Sequence, residues 1–433
     1  MGKFISRTIT IGAVLCSISF VTYKFYGATN VENITTKNVK QNNNMLSMML
    51  ETEAKSGNYE KTTLSNWPTD DYIFNKTLSK CENGGTLSWD DINKKVMFEG
   101  NNVDKCYVYF DVYIPPTIAD FCSNSQKISS CVTTFGNHGY NISNIYFHNS
   151  LLENGAGDNS YRYAGANPNN YVCFGSDDET CPYENLFRII GLIDGKIKLI
   201  SADGATADML GTDGSYIKTY KEEWSSSYYK GTGDLTKIGS YKWNNSVANT
   251  WNTSTTNTIN LNTNYLTYLD GKNTKWKNMI DDTTWYVGGM TYANAQQTNA
   301  KTVYDYEVGL NKVSTTTVTA KIGMMYLSDY YYAAIKEYWT LPGYNSSGND
   351  YRKATNDNWL YTGLFEWLLL RESDLSGYAF RVHGDGAVLD PSFVNGDGHA
   401  VRPSFNLTSS VKYESGNGTA VNPIRLKLWL KPH

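Results

Sequence analysis

Seven cysteines stand in this chain, and all but Cys16 fall into three close couples: Cys81 with Cys106, Cys122 with Cys131, and Cys173 with Cys181. Thiols placed this way either bridge or ligate a metal, and the two outcomes demand different folds. No C-x-x-C occurs and no histidine stands at finger spacing from the six, so a zinc-type site is the weaker reading. Spacing alone does not fix the connectivity. Sequential neighbours make the simplest bridges, each stabilising by about 2–4 kcal/mol. Disulfides belong to an oxidising compartment, which directs attention to how the chain would reach one.

Residues 8–23, TITIGAVLCSISFVTY, follow Lys3 and Arg7 and precede Lys24. This reads as an export signal or membrane anchor over residues 1–28, short of the ~20 apolar residues of a comfortable span. The best cleavage candidate, Tyr26-Gly27-Ala28, has a bulky Tyr at its outer position, so retention as an uncleaved anchor is favoured over secretion. Basic residues on the N-terminal flank orient that end inward and the remainder outside, at the cell surface. Cys16 follows Ala13-Val14-Leu15 and lacks the small preceding residue of a lipidation site.

Beyond this segment the chain changes character several times. Residues 29–66 are rich in Asn, Thr, Ser and Lys and read as a disordered spacer, within which 45–53 (MLSMMLETE) suggests two turns of helix. Residues 67–113 read as a small β module of four short strands, around 72–74, 87–89, 96–98 and 107–113, stapled by Cys81 and Cys106. Pro115-Pro116 opens a connector, 114–159. Residues 160–407 form the main domain and 408–433 a C-terminal extension. Within the main domain, two β-rich runs flank Asp194-Gly195, the signature of a tight hairpin.

Composition agrees with an α+β fold that is mostly β: aromatics make up 14% of the 433 residues, with 34 tyrosines, while charged residues reach 18%. The formal net charge of −4 provides no basic excess for phosphate backbones, so nucleic acid is not an expected partner.

The order FRIIGLIDGKIKLIS, KWNNS, TINLNTNYL, KIGMMYLSDY and EWLLLRESDLSGYAFRVHGDGAVLDPSFVNGDGHAVRPSFNL resembles an uncharacterised bacterial surface domain family related to C-type-lectin-like and formylglycine-generating-enzyme-like domains. The segment around Cys81 and Cys106 likewise resembles a small module of bacterial surface proteins. The carrying residues are Trp367-Leu368-Leu369-Leu370-Arg371, the alternating run 379–382, Gly384 to Gly386, and Val401-Arg402-Pro403. Leu369-Leu370 stands where relatives often carry a smaller polar residue.

The resemblance covers residues 160–407 and implies a C-type-lectin-like main domain behind the small β module. It also implies a binding surface between the Trp-bearing strand and the last strand, so that Tyr378, Arg381, His383, Asp385, Asp390, Phe393, Asn395 and Asp397 are the ligand-binding candidates.

From the residues themselves, Phe365, Trp367 and Leu368 read as core, and Arg371 or Arg402, if buried, needs a carboxylate or carbonyl partner. The enzymatic relatives use a cysteine couple in the C-terminal half, and no cysteine follows Cys181. H-E-x-x-H, G-x-S-x-G and a phosphate loop do not occur. The expectation is a non-catalytic adhesin-like protein without cofactor or metal, taking an extracellular glycan or protein as its partner. Alternatives are a cell-envelope enzyme working through His383 and His399, with Asp385, Asp390 or Asp397 beside them, and a structural pilus-like component. Two oxygen-rich sets, Asp385/Asp390/Asn395/Asp397 and Asn356/Asp357/Asn358, suit calcium or simply tight turns.

Overall fold

The computed structural model describes residues 35–36, 45–62, 68, 71–100, 104–224, 227–309 and 316–428. The apolar stretch 8–23 lies outside them. The protein is mostly β, with 31% strand and 22% helix, and among the described residues the strands form several sheets, none of them a barrel. No described helix is long and apolar enough to cross a membrane. All three sequential cysteine couples are disulfides. The chain divides into two units at Pro115 and Pro116.

In the first unit the stretch expected as two helical turns is the strand Met45–Glu51. Leu46, Met48 and Leu50 recur with period two and face a small core made with Val96, Val108 and Phe110. An isolated helix this short is marginal in water, whereas a strand with a ready partner buries its apolar face at once. That partner is Lys105–Val112, paired in parallel from Met45/Lys105 to Leu50/Phe110. The spacer therefore supplies a strand to the module it was expected to precede. The runs expected as strands form Tyr72–Phe74, Thr86–Asp90, Lys95–Glu99 and Lys105–Val112. Cys81 and Cys106 face each other across paired strands, and Trp89 sets its edge on Phe110 at 4.9 Å.

The second unit is built on a sheet ordered Ser404–Asn406, Lys196–Ser201, Leu186–Ile193, Ser160–Tyr163, Ile145–His148, with Tyr171–Cys173 also paired to Leu186–Ile193. Asp194 and Gly195 both have positive φ (50° and 72°), so the expected hairpin turns there in the sense that matches strand twist. A second sheet joins Gly289–Met290, Glu366–Glu372, Tyr378–Val382 and Ser392–Phe393.

Two boundaries differ from expectation. The helix Ile128–Gly136, in the segment read as a connector, buries Ile128, Cys131, Val132 and Phe135 in the main core. The hairpin Val411–Ser415 with Arg425–Leu428, in the segment read as an extension, buries Val411, Tyr413, Ile424 and Leu426 there too, and Lys412 bridges back to Lys127. Both segments are structural parts of the unit, since the core they cover would otherwise face water.

Trp367 and Leu368 are fully buried, while Phe365 only packs partly against a smaller cluster. Arg402 is buried on Glu366 Oε1 (2.7 Å) and Leu360 O (2.8 Å), the partners a buried guanidinium requires. The Asn-rich run is the π-helix Thr256–Tyr265, whose amides reach out to backbone carbonyls: Asn260 to Leu210 O at 2.8 Å, Asn262 to Ile322 O at 2.9 Å.

Candidate functional site

The segment expected to bind ligand divides into separate groups. Tyr378 and Phe393 lie opposite each other on paired strands with ring centroids 4.2 Å apart, and Phe393 is 51% exposed. Arg381, three residues further along the same strand and therefore on its other face, turns to different company. Its Nη1 meets His399 Nε2 at 3.0 Å, its Nη2 meets Asp390 at 3.3 Å, and it lies 5.2 Å from the Phe365 ring. Because a guanidinium only donates, His399 accepts through Nε2 and carries its proton on Nδ1. His399 is fully buried, its ring 4.3 Å from Trp367 and 5.3 Å from Trp224. Burial, then Arg381, push its pKa well below the ordinary imidazole value.

His383 and Asp385 form a turn clamp. His383 Nδ1 lies 2.8 Å from Asp385 Oδ1, which also accepts the Ala387 N–H at 3.1 Å. Burial alone would raise the Asp385 carboxyl, but His383 and the Ala387 amide outweigh it and hold the group below its ordinary value. The Phe365 ring sits 4.5 Å from His383 and 6.0 Å from His399, so the two histidines read as a possible pair share an apolar neighbour. Asn395 and Asp397 lie on the turn after Phe393, closed by the Asp397 N–H on Phe393 O.

A cavity of ≈ 780 Å³ opens elsewhere in the second unit. Its walls come from the strands Ser160–Tyr163, Lys196–Ser201 and Thr283–Tyr286 and the helices Ala300–Glu307 and Leu327–Tyr332. The sheet register explains its floor. Arg162 pairs with Gly191, and Gly191 pairs with Lys198, so two cations flank a residue without a side chain. A Cβ at Gly191 would meet Tyr161 O at 2.3 Å, and glycine is what this close approach requires.

Arg162 and Lys198 are buried and share Asp329: Lys198 Nζ at 2.5 Å from Oδ2, Arg162 Nη1 at 3.6 Å from Oδ1. Arg162 also donates to Asp158 Oδ2 (2.8 Å) and Ser160 Oγ (2.9 Å), and Tyr304 donates to Asp158 at 3.0 Å. The Tyr326 amide donates to Asp329 at the head of its helix. The Tyr326 ring lies 4.4 Å from Lys198, and Trp285 lies 5.5 Å away. Burial works against the Asp158 carboxylate, yet Arg162 and the Ser160 bonds hold it well below its usual range. Burial lowers the Lys198 ammonium, and Asp329 opposes that. Behind this floor the buried Glu307 accepts the Leu327 and Ser328 amides (3.0 and 2.9 Å) and is pushed up to about 7 by burial.

Sequence reading missed this second site. Its traces were Gly191 inside a β-branched run and a lysine inside KIKLI, both of which read equally well as an ordinary hairpin.

Among the described residues one grouping of metal-type donors occurs, Cys81, Asp104 and Cys106, and its two sulfurs are bonded to each other. Fixed charges, spare N–H donors and aromatic faces around a cavity can hold and orient a small molecule. Comparison of the chain with protein-family models, with curated proteins and with solved structures finds no match in any of the three.

Proposed function

We propose that this is a non-catalytic, adhesin-like ligand-binding protein of the bacterial cell surface, held at the membrane by residues 8–23, whose second unit, of C-type-lectin-like type, is the receptor. The observation that carries this reading is the cavity over Arg162 and Lys198: concave, aromatic-walled and floored by charges already locked in place. Pre-formed pockets with a few convergent polar groups are the usual small-molecule sites. Three disulfides support an oxidising surroundings. The burial of His399 and the Phe365 ring beside it favour binding over acid–base work at the loop.

The test is a binding screen of the full chain against glycans, peptides and envelope extracts, paired with fractionation of the producing cell. Saturable binding by protein recovered in the membrane fraction is expected. Turnover of a bound compound, or no binding from any class, would sink the reading.

A further inference from the structure

We infer that the Arg162/Lys198 cavity takes an uncharged, polyhydroxylated ligand, a short saccharide, recognised without a metal ion. This deepens the binding reading and rests on it. Charge comes first. The buried cations and carboxylates of the floor already neutralise one another, Arg162 with Asp158 and Lys198 with Asp329. At the rim Lys301 is paired with Asp305 in the same way. A second buried anion or cation entering such a balanced set would lack a counter-charge and lose its hydration. A neutral molecule meets no such cost.

Hydrogen-bonding capacity comes next. An ammonium has three donors and a guanidinium five. Among the described residues Lys198 Nζ makes one hydrogen bond, to Asp329, and Arg162 makes two, through Nε and Nη2. Arg162 Nη1 has only the 3.6 Å ion contact with Asp329, too long for a hydrogen bond. Both residues line the cavity, so its floor is rich in donors and calls for a ligand dense in oxygen acceptors. Hydroxyl and ring oxygens provide these without charge. Tyr286, partly exposed, and the accessible edge of Tyr326 add aromatic surface, which suits the C–H faces of sugar rings. The ≈ 780 Å³ volume falls within the range of about 300–1,000 Å³ typical of small-ligand sites. Asp158 and Asp329 are each held by cationic side chains rather than left to converge on an ion, so chelation should leave recognition intact.

Titration calorimetry of the full chain tests this, with a panel of uncharged oligosaccharides including maltotriose and triacetylchitotriose, and with inorganic phosphate and triglycine as controls. Thr284→Trp fills the mouth from an exposed strand position that makes no floor contact. Lys198→Met removes the central donor. An uncharged oligosaccharide should bind, insensitive to EDTA, and should weaken by roughly tenfold or more in Thr284→Trp at unchanged Tm. Lys198→Met should weaken it as well. Tighter binding of phosphate or triglycine would overturn the ligand class while leaving a binding protein. Failure of every uncharged oligosaccharide would do the same, and so would saccharide binding that survives Thr284→Trp or vanishes with EDTA. Failure of all ligand classes in the wider screen would instead remove the functional reading itself.

Discussion

Two arginines in the second unit sit beside two kinds of neighbour. Arg162, with its side chain 3% exposed, lies between two carboxylates, Asp158 and Asp329. Arg381, with its side chain 11% exposed, meets one carboxylate that is 42% exposed, Asp390, and one neutral imidazole, His399. The first arginine belongs to a rigid array of alternating charge bordering an empty volume. The second packs beside a ring cluster of Trp224, Phe365 and Trp367 around His399. Charged residues near a domain's surface thus border an open volume or pack into a ring cluster according to what lies on their open side, and residue type alone does not decide which.

The contrast can be broken most directly by deletion. Arg162→Ala leaves the largely buried Asp158 without its cation and Asp329 with Lys198 alone, and should cost about 3–5 kcal/mol in denaturant unfolding of the second unit. A loss under 1 kcal/mol would mean that the array is solvated and not fixed. Acid provides the next largest effect. His148, fully buried and held down by burial and then by Arg162, and His399, held down by burial and then by Arg381, both stay neutral in the fold. Asp158 faces His148 and opposes its shift, while His383 adds to that of His399. A histidine with a depressed folded pKa contributes stability above its ordinary value of 6.5 that is lost as pH falls below it. Glu307 acts in the opposite sense: its raised pKa favours the fold as pH drops from about 7 towards 4.5. The two histidines thus cost stability as pH falls below 6.5, while Glu307 and the likewise raised, buried Glu366 oppose that loss, each group acting with a slope of at most about 1.4 kcal/mol per pH unit. Glu307→Gln should steepen the acid loss and His148→Phe should ease it, each by about 1 kcal/mol per pH unit, as read from urea midpoints at each pH.

The remaining tests sharpen the other side of the comparison. Arg381→Ala should cost only about 1–2 kcal/mol, because Asp390 can return to water and His399 is uncharged. It should leave ligand affinity of the cavity unchanged. Smallest of all, Phe393→Ala removes an exposed ring from Tyr378 and should shift stability by about 0.5 kcal/mol. Should Phe393→Ala abolish ligand binding, the aromatic pair and not the cavity would be the receptor surface.

The sequence disclosed local chemistry well and distant pairing poorly. The turn at Asp194-Gly195 was legible because two residues suffice to set it. The bridges were legible because each joins neighbours. The strand Met45–Glu51 was not, since its partner lies some sixty residues on and the run lacks flanking strand signals. The helix Ile128–Gly136 was in principle readable: Ile128, Cys131, Val132 and Phe135 recur at helical spacing, beyond prolines that marked a boundary. At the candidate sites, Asp158 is local to Arg162, but Asp329 arrives from over a hundred residues downstream. Without it, Lys198 reads as a solvent-facing residue on an alternating strand. The loop candidates are neighbours in sequence, yet burial sorts them into turn clamp, packing group and exposed pair.

The parallel pairing of Met45–Glu51 with Lys105–Val112 places the first unit's incoming and outgoing chain at opposite ends of one ladder. Tension applied along the chain would act parallel to those strands, so the rungs share the load together and do not peel open in turn. A pull between the chain before Met45 and the chain after Val112 would thus load this ladder in shear.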